Sequence, residues 1–256
     1  MTLTLALALF AAAFAAGTLN AVAGGGTLIT FPALVAAGLP PIVANATSSV
    51  SQWPGYVASS LTFRRELSGQ RQFAGMSGAS LAGGLVGAYL VTVVSPRLFD
   101  VLIPWLILLA TAMFAFSATL TRWMGRHAAN VGRSTAALLA GQFVVSIYGG
   151  FFGGGMGIMM LALYSLFALD TLTRMNALKT WLSVVISGVA VVTFIVAGIV
   201  DWPAASVMLA GTIAGGIAGG VAGARLARRL PAVWLKRVVV ALGSVLTLAF
   251  FWKVYG

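Results

Sequence analysis

The sequence predicts an all-α integral membrane protein made of two inverted-topology repeats, each a glycine-tipped re-entrant helical hairpin plus three transmembrane helices. Three observations predict it. First, 60% of the 256 residues are hydrophobic and 7% are charged, whereas a soluble domain carries about 25% charged residues. Second, apolar segments of helical length follow one another along the chain. Third, the chain repeats its own landmarks at a spacing of about 130 residues.

The first segment, Leu3 to Ala23, belongs to a stretch without a charge from Met1 to Thr62. It lacks the basic n-region of a signal peptide and is read as a structural helix. The triplet Gly24-Gly25-Gly26 interrupts it, because each glycine costs a helix about 1 kcal/mol relative to alanine. A short segment follows, Thr27 to Gly38. Crossings of about 20 residues are then expected at Ile42 to Phe63, Phe73 to Val94 and Leu98 to Leu120. The second half repeats the order: Ser134 to Phe152, the triplet Gly153-Gly154-Gly155, and the short Met156 to Leu169. Ala177 to Val200, Pro203 to Ala224 and Ala232 to Val254 complete it. At 1.5 Å per residue, 12 to 14 residues span about 20 Å, short of the ~30 Å hydrocarbon core.

The halves align beyond the triplets. Asn45-Ala46 matches Asn176-Ala177, and "SLAGGLVGA" from Ser80 matches "TIAGGIAGG" from Thr212. Internal duplication of a membrane chain points to a transporter. Residues 1–121 and 134–256 form the repeats, joined by a basic cytoplasmic linker at 122–133.

Charge decides how the breaks are threaded. If each broken segment crosses the membrane once, the fifteen Lys and Arg residues divide seven against eight. If each enters and leaves on the same side, thirteen fall on one side and only Arg97 and Lys253 on the other. Short cytoplasmic loops carry the excess of Lys and Arg. The second threading therefore holds, with six crossings, both termini periplasmic and the two hairpins entering from opposite faces. The net charge of +11 is thus topological and does not call for nucleic acid.

Non-helical backbone at membrane depth is tolerated where it lines a wet cavity or is buried in protein. The second arms begin at Thr27 and Met156, whose helix N-termini present free N–H groups and positive dipole ends. Glycine lets an anion approach such a backbone, although close helix packing is the bland explanation of the same residues. The candidate substrate-binding set is Asn20, Gly24, Gly25, Gly26, Thr27, Asn45, Thr47, Ser48, Gln52, Gly153, Gly154, Gly155, Met156, Asn176, Lys179 and Thr180. Lys179, aligned with Ser48, either offers a cation to the substrate or snorkels to the cytoplasmic interface. Gln142 and Tyr148 could line the same cavity, and Arg174 reads as a boundary residue. The glycine rows at Gly83 and Gly87 and from Gly211 to Gly223 read as helix-packing faces. Trp123, Trp202, Trp234 and Trp252 read as interfacial anchors.

Several functions are set aside. Without cysteine there is no thiol chemistry. Glu66, Asp100, Asp170 and Asp201 fall at span ends, and His127 lies in the basic linker region, so no midplane proton relay or metal cluster is expected. No nucleophile–base pair and no P-loop pattern occur, so neither an enzyme nor an ATP-driven pump is expected. No cofactor is expected.

"AGTLNAVAGGGTLITFPALVAAGLPPIVANATSSVSQWPG" and its echo "GGFFGGGMGIMMLALYSLFALDTLTRMNALK" resemble the sulfite exporter TauE/SafE family of bacterial and plant permeases, over essentially the whole chain. The resemblance implies export of sulfur-containing anions such as sulfite or sulfonates across the bacterial inner membrane. It carries over no catalytic residues. The expected partners are a small anionic substrate and the lipid bilayer, with a homodimer left open. A channel-like anion pathway and a non-transporting scaffold or assembly factor are the alternatives.

Overall fold

The computed structural model describes residues 1–22, 25–67, 72–127, 134–226 and 232–255. All regular structure among them is helical: α1 Leu3–Val22, α2 Thr27–Ala36, α3 Pro41–Thr62, α4 Phe73–Val93 and α5 Pro96–His127, then α6 Thr135–Phe151, α7 Met156–Leu166, α8 Leu172–Val196, α9 Trp202–Leu226 and α10 Ala232–Tyr255. Both second arms start at the residue after their glycine triplet. Among the described residues, α1, α4, α5 and α8 are each long and apolar enough to cross a bilayer. α3, at 22 residues, has the length but carries the polar run from Asn45 to Gln52. α2 and α7, at 10 and 11 residues, reach only about half the hydrocarbon core.

Two helices run well past the sequence expectation at one end. α5 continues past Leu120 to His127, because no proline intervenes and the Arg122 Nε donates to the Ala118 carbonyl at 3.0 Å. α8 starts at Leu172 rather than Ala177. Arg174 and Asp170 form an i,i+4 ion pair at 3.0 Å, which ties in its first turn. Arg174 stands in that first turn.

Helix packing is organised by glycine faces. A Cβ at Gly83 would come within 2.5 Å of the Phe143 carbonyl oxygen, and one at Gly211 within 2.6 Å of the Phe10 oxygen. Gly87 and Gly215 press equally close on the Ile147 and Phe14 carbonyls. These contacts join α4 to α6 and α1 to α9, the two most extensive helix pairs. Removal of the side chain brings the backbones together, as small-xxx-small faces do in bilayers.

The ends of the bundle differ. At the end where α3 and α5 begin, Phe31 packs edge-on to Phe152 (5.5 Å between ring centroids) and stacks with Phe250 at 6.2 Å. Phe99 and Phe151 meet at 5.6 Å. At the opposite end the Arg174 Nε approaches the Glu66 carbonyl at 3.5 Å, and the buried cluster is built of methionines and leucines with Tyr164 and Ile186.

Candidate functional site

The two breaks meet. Gly25 of the first and Gly153 and Gly155 of the second line one cavity of about 60 Å³, together with Asn20, Tyr56, Ser59, Met156, Gly157, Lys179, Thr180 and Ser183. At roughly 10–15 Å³ per water-sized sphere, it has room for one small anion or a few waters. The breaks are turns that only glycine adopts without strain: φ is +93° at Gly25, +77° at Gly153 and +78° at Gly155.

Lys179 enters this cavity from α8. A Cβ at Gly157 would lie 3.3 Å from Lys179 Cδ, so the bare backbone of the first turn of α7 makes room for the lysine stem. The ammonium donates to Asn176 Oδ1 at 3.2 Å and is partly buried. No aspartate or glutamate lines the cavity, so the ammonium is its one formal charge among the described residues.

Behind the first break stands a network of buried amide and hydroxyl groups. Asn20 Oδ1 accepts from the Gly26 amide at 2.8 Å, and Asn20 Nδ2 donates to Gln52 Oε1 at 2.7 Å. Gln52 Nε2 reaches Thr27, Thr30 and Ser48 oxygens at 3.0 to 3.1 Å. Thr30 and Ser48 hydroxyls share a bond of 2.6 Å. Gln52 and Ser48 come from α3, so this helix holds the turn of α1 into α2 through side chains. Burial without such partners would cost about 1–3 kcal/mol per group.

The second break is held mainly by backbone. The Phe152 and Gly153 amides both bind the Tyr148 carbonyl, at 2.9 and 3.3 Å, and the Tyr148 hydroxyl donates to the Gly154 carbonyl. Asn45 crosses from α3 to donate to the Phe151 carbonyl at 2.9 Å.

The sequence candidates therefore separate. Asn20, Gly25, Gly153, Gly155, Met156, Lys179 and Thr180 border the cavity, and Asn176 holds the lysine. Gly26, Thr27, Ser48 and Gln52 form the network behind it. Gly154 faces Phe152 and Ala110. Thr47 accepts from the Asp201 amide at 3.0 Å and anchors the start of α9. Gly24 lies outside the described residues, as do 128–133 of the basic linker. Gln142 does not line the cavity: it is buried between α4, α6 and α7, bonded to Ser80, Ser146 and Tyr164 at 2.9, 3.2 and 3.1 Å. Tyr56, Ser59, Gly157 and Ser183 line the cavity without having been singled out. Helical spacing carries the signal, since Tyr56 is four residues beyond Gln52 and Ser183 four beyond Lys179.

Long apolar helices, two helix breaks turned toward each other and a polar cavity between them define a polytopic membrane transporter. The chain matches the family model described as "Sulfite exporter TauE/SafE" over residues 9–250, and it belongs to that family. It is 30% identical over 207 residues to a "Probable membrane transporter protein" of Haemophilus influenzae, covering 80% of each chain. It is equally 30% identical over 207 residues to the "Probable membrane transporter protein YfcA" of Escherichia coli K12, covering 79% of this chain and 75% of that one. A Sinorhizobium "Probable membrane transporter protein ORF9" shares 30% over 152 residues, 58% of this chain and 56% of its own. No solved structure matches the chain.

Proposed function

We propose that this transporter exports small sulfur-containing anions, sulfite or sulfonates, across the bacterial inner membrane, and that it binds them between the two glycine breaks beside Lys179. One observation carries the reading: a cavity bordered by both breaks holds a single formal charge, and that charge is positive. Such a site suits an anion. The two helix N-termini at Thr27 and Met156 add dipole ends of the same sign. With the cytoplasm negative, an outward-moving anion gains about 2.3 kcal/mol per charge per 100 mV, so it needs neither ATP nor a proton relay. Neither the family nor this site calls for enzyme chemistry.

The proposal includes the inverted repeat, residues 1–121 and 134–256, with re-entrant hairpins α1–α2 and α6–α7, six crossings and both termini periplasmic. Its support is a pattern of equivalent contacts. Gly215 of α9 presses on the Phe14 carbonyl, and its aligned Gly83 of α4 presses on that of Phe143, which aligns with Phe14. Trp53 of α3 donates to the carbonyl of its aligned residue, Val184 of α8, at 3.2 Å. In this threading the basic end, near Arg64, Arg65 and Arg174, faces the cytoplasm, and the phenylalanine cluster closes the periplasmic end.

The test is binding and flux. Sulfite and methanesulfonate should raise the unfolding temperature of the purified protein, while choline chloride should not. A charge-assisted hydrogen bond is worth about 1.5–3 kcal/mol, so Lys179→Gln should raise the apparent KM for efflux from proteoliposomes about 10-fold or more. Unchanged KM in Lys179→Gln would remove the lysine from the site. Flux that fails to saturate with substrate would favour a channel, and no stabilisation by any anion would favour a scaffold.

A further inference from the structure

We propose that a sodium ion binds at the C-terminal end of α6, in a second and smaller cavity beside the anion site. This cavity measures about 10 Å³ and is bordered by Thr27, Ser49, Gln52, Tyr56 and Ser187 and by Gly149, Phe152, Gly153 and Met156 around the second break. That is room for one water or one bare ion.

Its walls offer oxygen lone pairs. The Phe152 and Gly153 amides are committed to the Tyr148 carbonyl, at 2.9 and 3.3 Å. The Ser49 hydroxyl donates its proton to the Asn45 carbonyl at 2.9 Å, which leaves its lone pairs free. Thr27 Oγ1 accepts from Gln52 at 3.1 Å and is also hydrogen-bonded to the Tyr56 hydroxyl, so Ser49 and Ser187 are the hydroxyls least committed here. Ser187 is 7% exposed and forms no hydrogen bond with any described residue. A buried hydroxyl in that state costs stability unless something coordinates it. The end of α6 adds the negative pole of its dipole to a cavity that Thr27 and Met156, at the positive ends of α2 and α7, also border, and the C-terminal ends of discontinuous helices coordinate sodium in other transporters.

The chemistry selects the ion. Neutral hydroxyl and carbonyl oxygens without a carboxylate suit a monovalent cation, whereas calcium takes carboxylates. Sodium is the cation proposed, and its comparison with potassium in thermal unfolding decides between the two. Tyr56, Gly153 and Met156 border both cavities, so a sodium ion here would strengthen anion binding next door. That second effect rests on the reading of the larger cavity as the anion site.

The experiment is thermal unfolding of the full-length purified protein in sodium, potassium and choline chloride at equal ionic strength, with sodium titrated against choline. A saturable rise in the midpoint with sodium alone is expected. Ser187→Ala removes a hydroxyl that bonds to no described residue, so it should keep its midpoint in choline and lose the sodium response. Methanesulfonate, titrated in sodium and in choline, should bind roughly 5-fold or more tightly in sodium, a common size of coupling. Equal midpoints in the three salts, or a sodium response unchanged in Ser187→Ala, overturn the site. A sodium response in wild type that Ser187→Ala loses, with no methanesulfonate binding in either salt, upholds this site and removes the anion reading instead.

Discussion

The two helix breaks do the same geometric job by different means. The first is held by side chains: Asn20 takes the Gly26 amide, Gln52 takes Asn20, and three hydroxyls surround Gln52. The second is held mainly by backbone folding onto the Tyr148 carbonyl, with one tyrosine hydroxyl and the Asn45 amide as its side-chain supports. Position 52 aligns with position 183, and there the glutamine is replaced by a serine whose hydroxyl only returns to the Lys179 carbonyl at 2.8 Å. The comparison teaches that two breaks of like geometry divide labour. One is stiffened by saturated polar groups, and the other keeps polar groups available and lies beside the lysine. A saturated network rigidifies, because each member lost leaves the others buried and unpaired.

Gln52→Leu against Ser183→Ala is the sharpest way to break this comparison. The first change leaves Asn20 Nδ2 without its acceptor and removes the donor shared by three hydroxyls. At about 1–3 kcal/mol per orphaned buried group, a loss of about 3 kcal/mol or more is expected, measured as the thermal midpoint of the solubilised protein. Ser183→Ala should cost less than about 1 kcal/mol, since Lys179 keeps its helical bonding. Equal losses in the two variants would mean that the breaks are supported alike.

A smaller effect separates the glycines. Alanine in the left-handed region costs about 1–2 kcal/mol at either Gly25 or Gly153. At Gly25 the added Cβ also meets the Phe114 ring at 2.7 Å, whereas at Gly153 the nearest atom is the Gly149 oxygen at 3.3 Å. Gly25→Ala should therefore lower both stability and efflux more than Gly153→Ala. The reverse order in a melting and flux assay would place the tighter contact at the second break.

The smallest expected effect is Tyr148→Phe, which removes the only side-chain hydroxyl bonded to the second break among the described residues. A loss of about 1 kcal/mol is expected, the ordinary worth of one hydrogen bond. A loss as large as that of Gln52→Leu would show that the second break depends on a side chain as heavily as the first.

Much of the helical order was legible in the chain. Three glycines in an apolar run disfavour a helix wherever they stand, so both breaks and the starts of α2 and α7 followed from composition. The ends of α5 and α8 were harder. Arg122 reads as linker and Arg174 and Asp170 as residues at the end of a span, yet an ion pair and a side-chain bond to backbone accompany helices longer by a turn or more. Gln142 illustrates the opposite error. A buried glutamine near a break suggests a cavity, but its partners Ser80 and Tyr164 come from α4 and α7, and they satisfy it elsewhere.

By itself the sequence determined the class of protein, the helices, the two breaks and the family, because these rest on local propensity, hydropathy and motif. It also marked Lys179 as the intramembrane cation to watch, without deciding between the cavity and the interface. Only the tertiary structure decided that direction. The lysine stem lies along α7 because Gly157, on a different helix, has no side chain to block it. The cavity around it takes walls from α1, α3, α7 and α8, contributed by residues as far apart as Asn20 and Ser183. Local rules say where a chain turns, but which side chains face one another depends on how the helices pack.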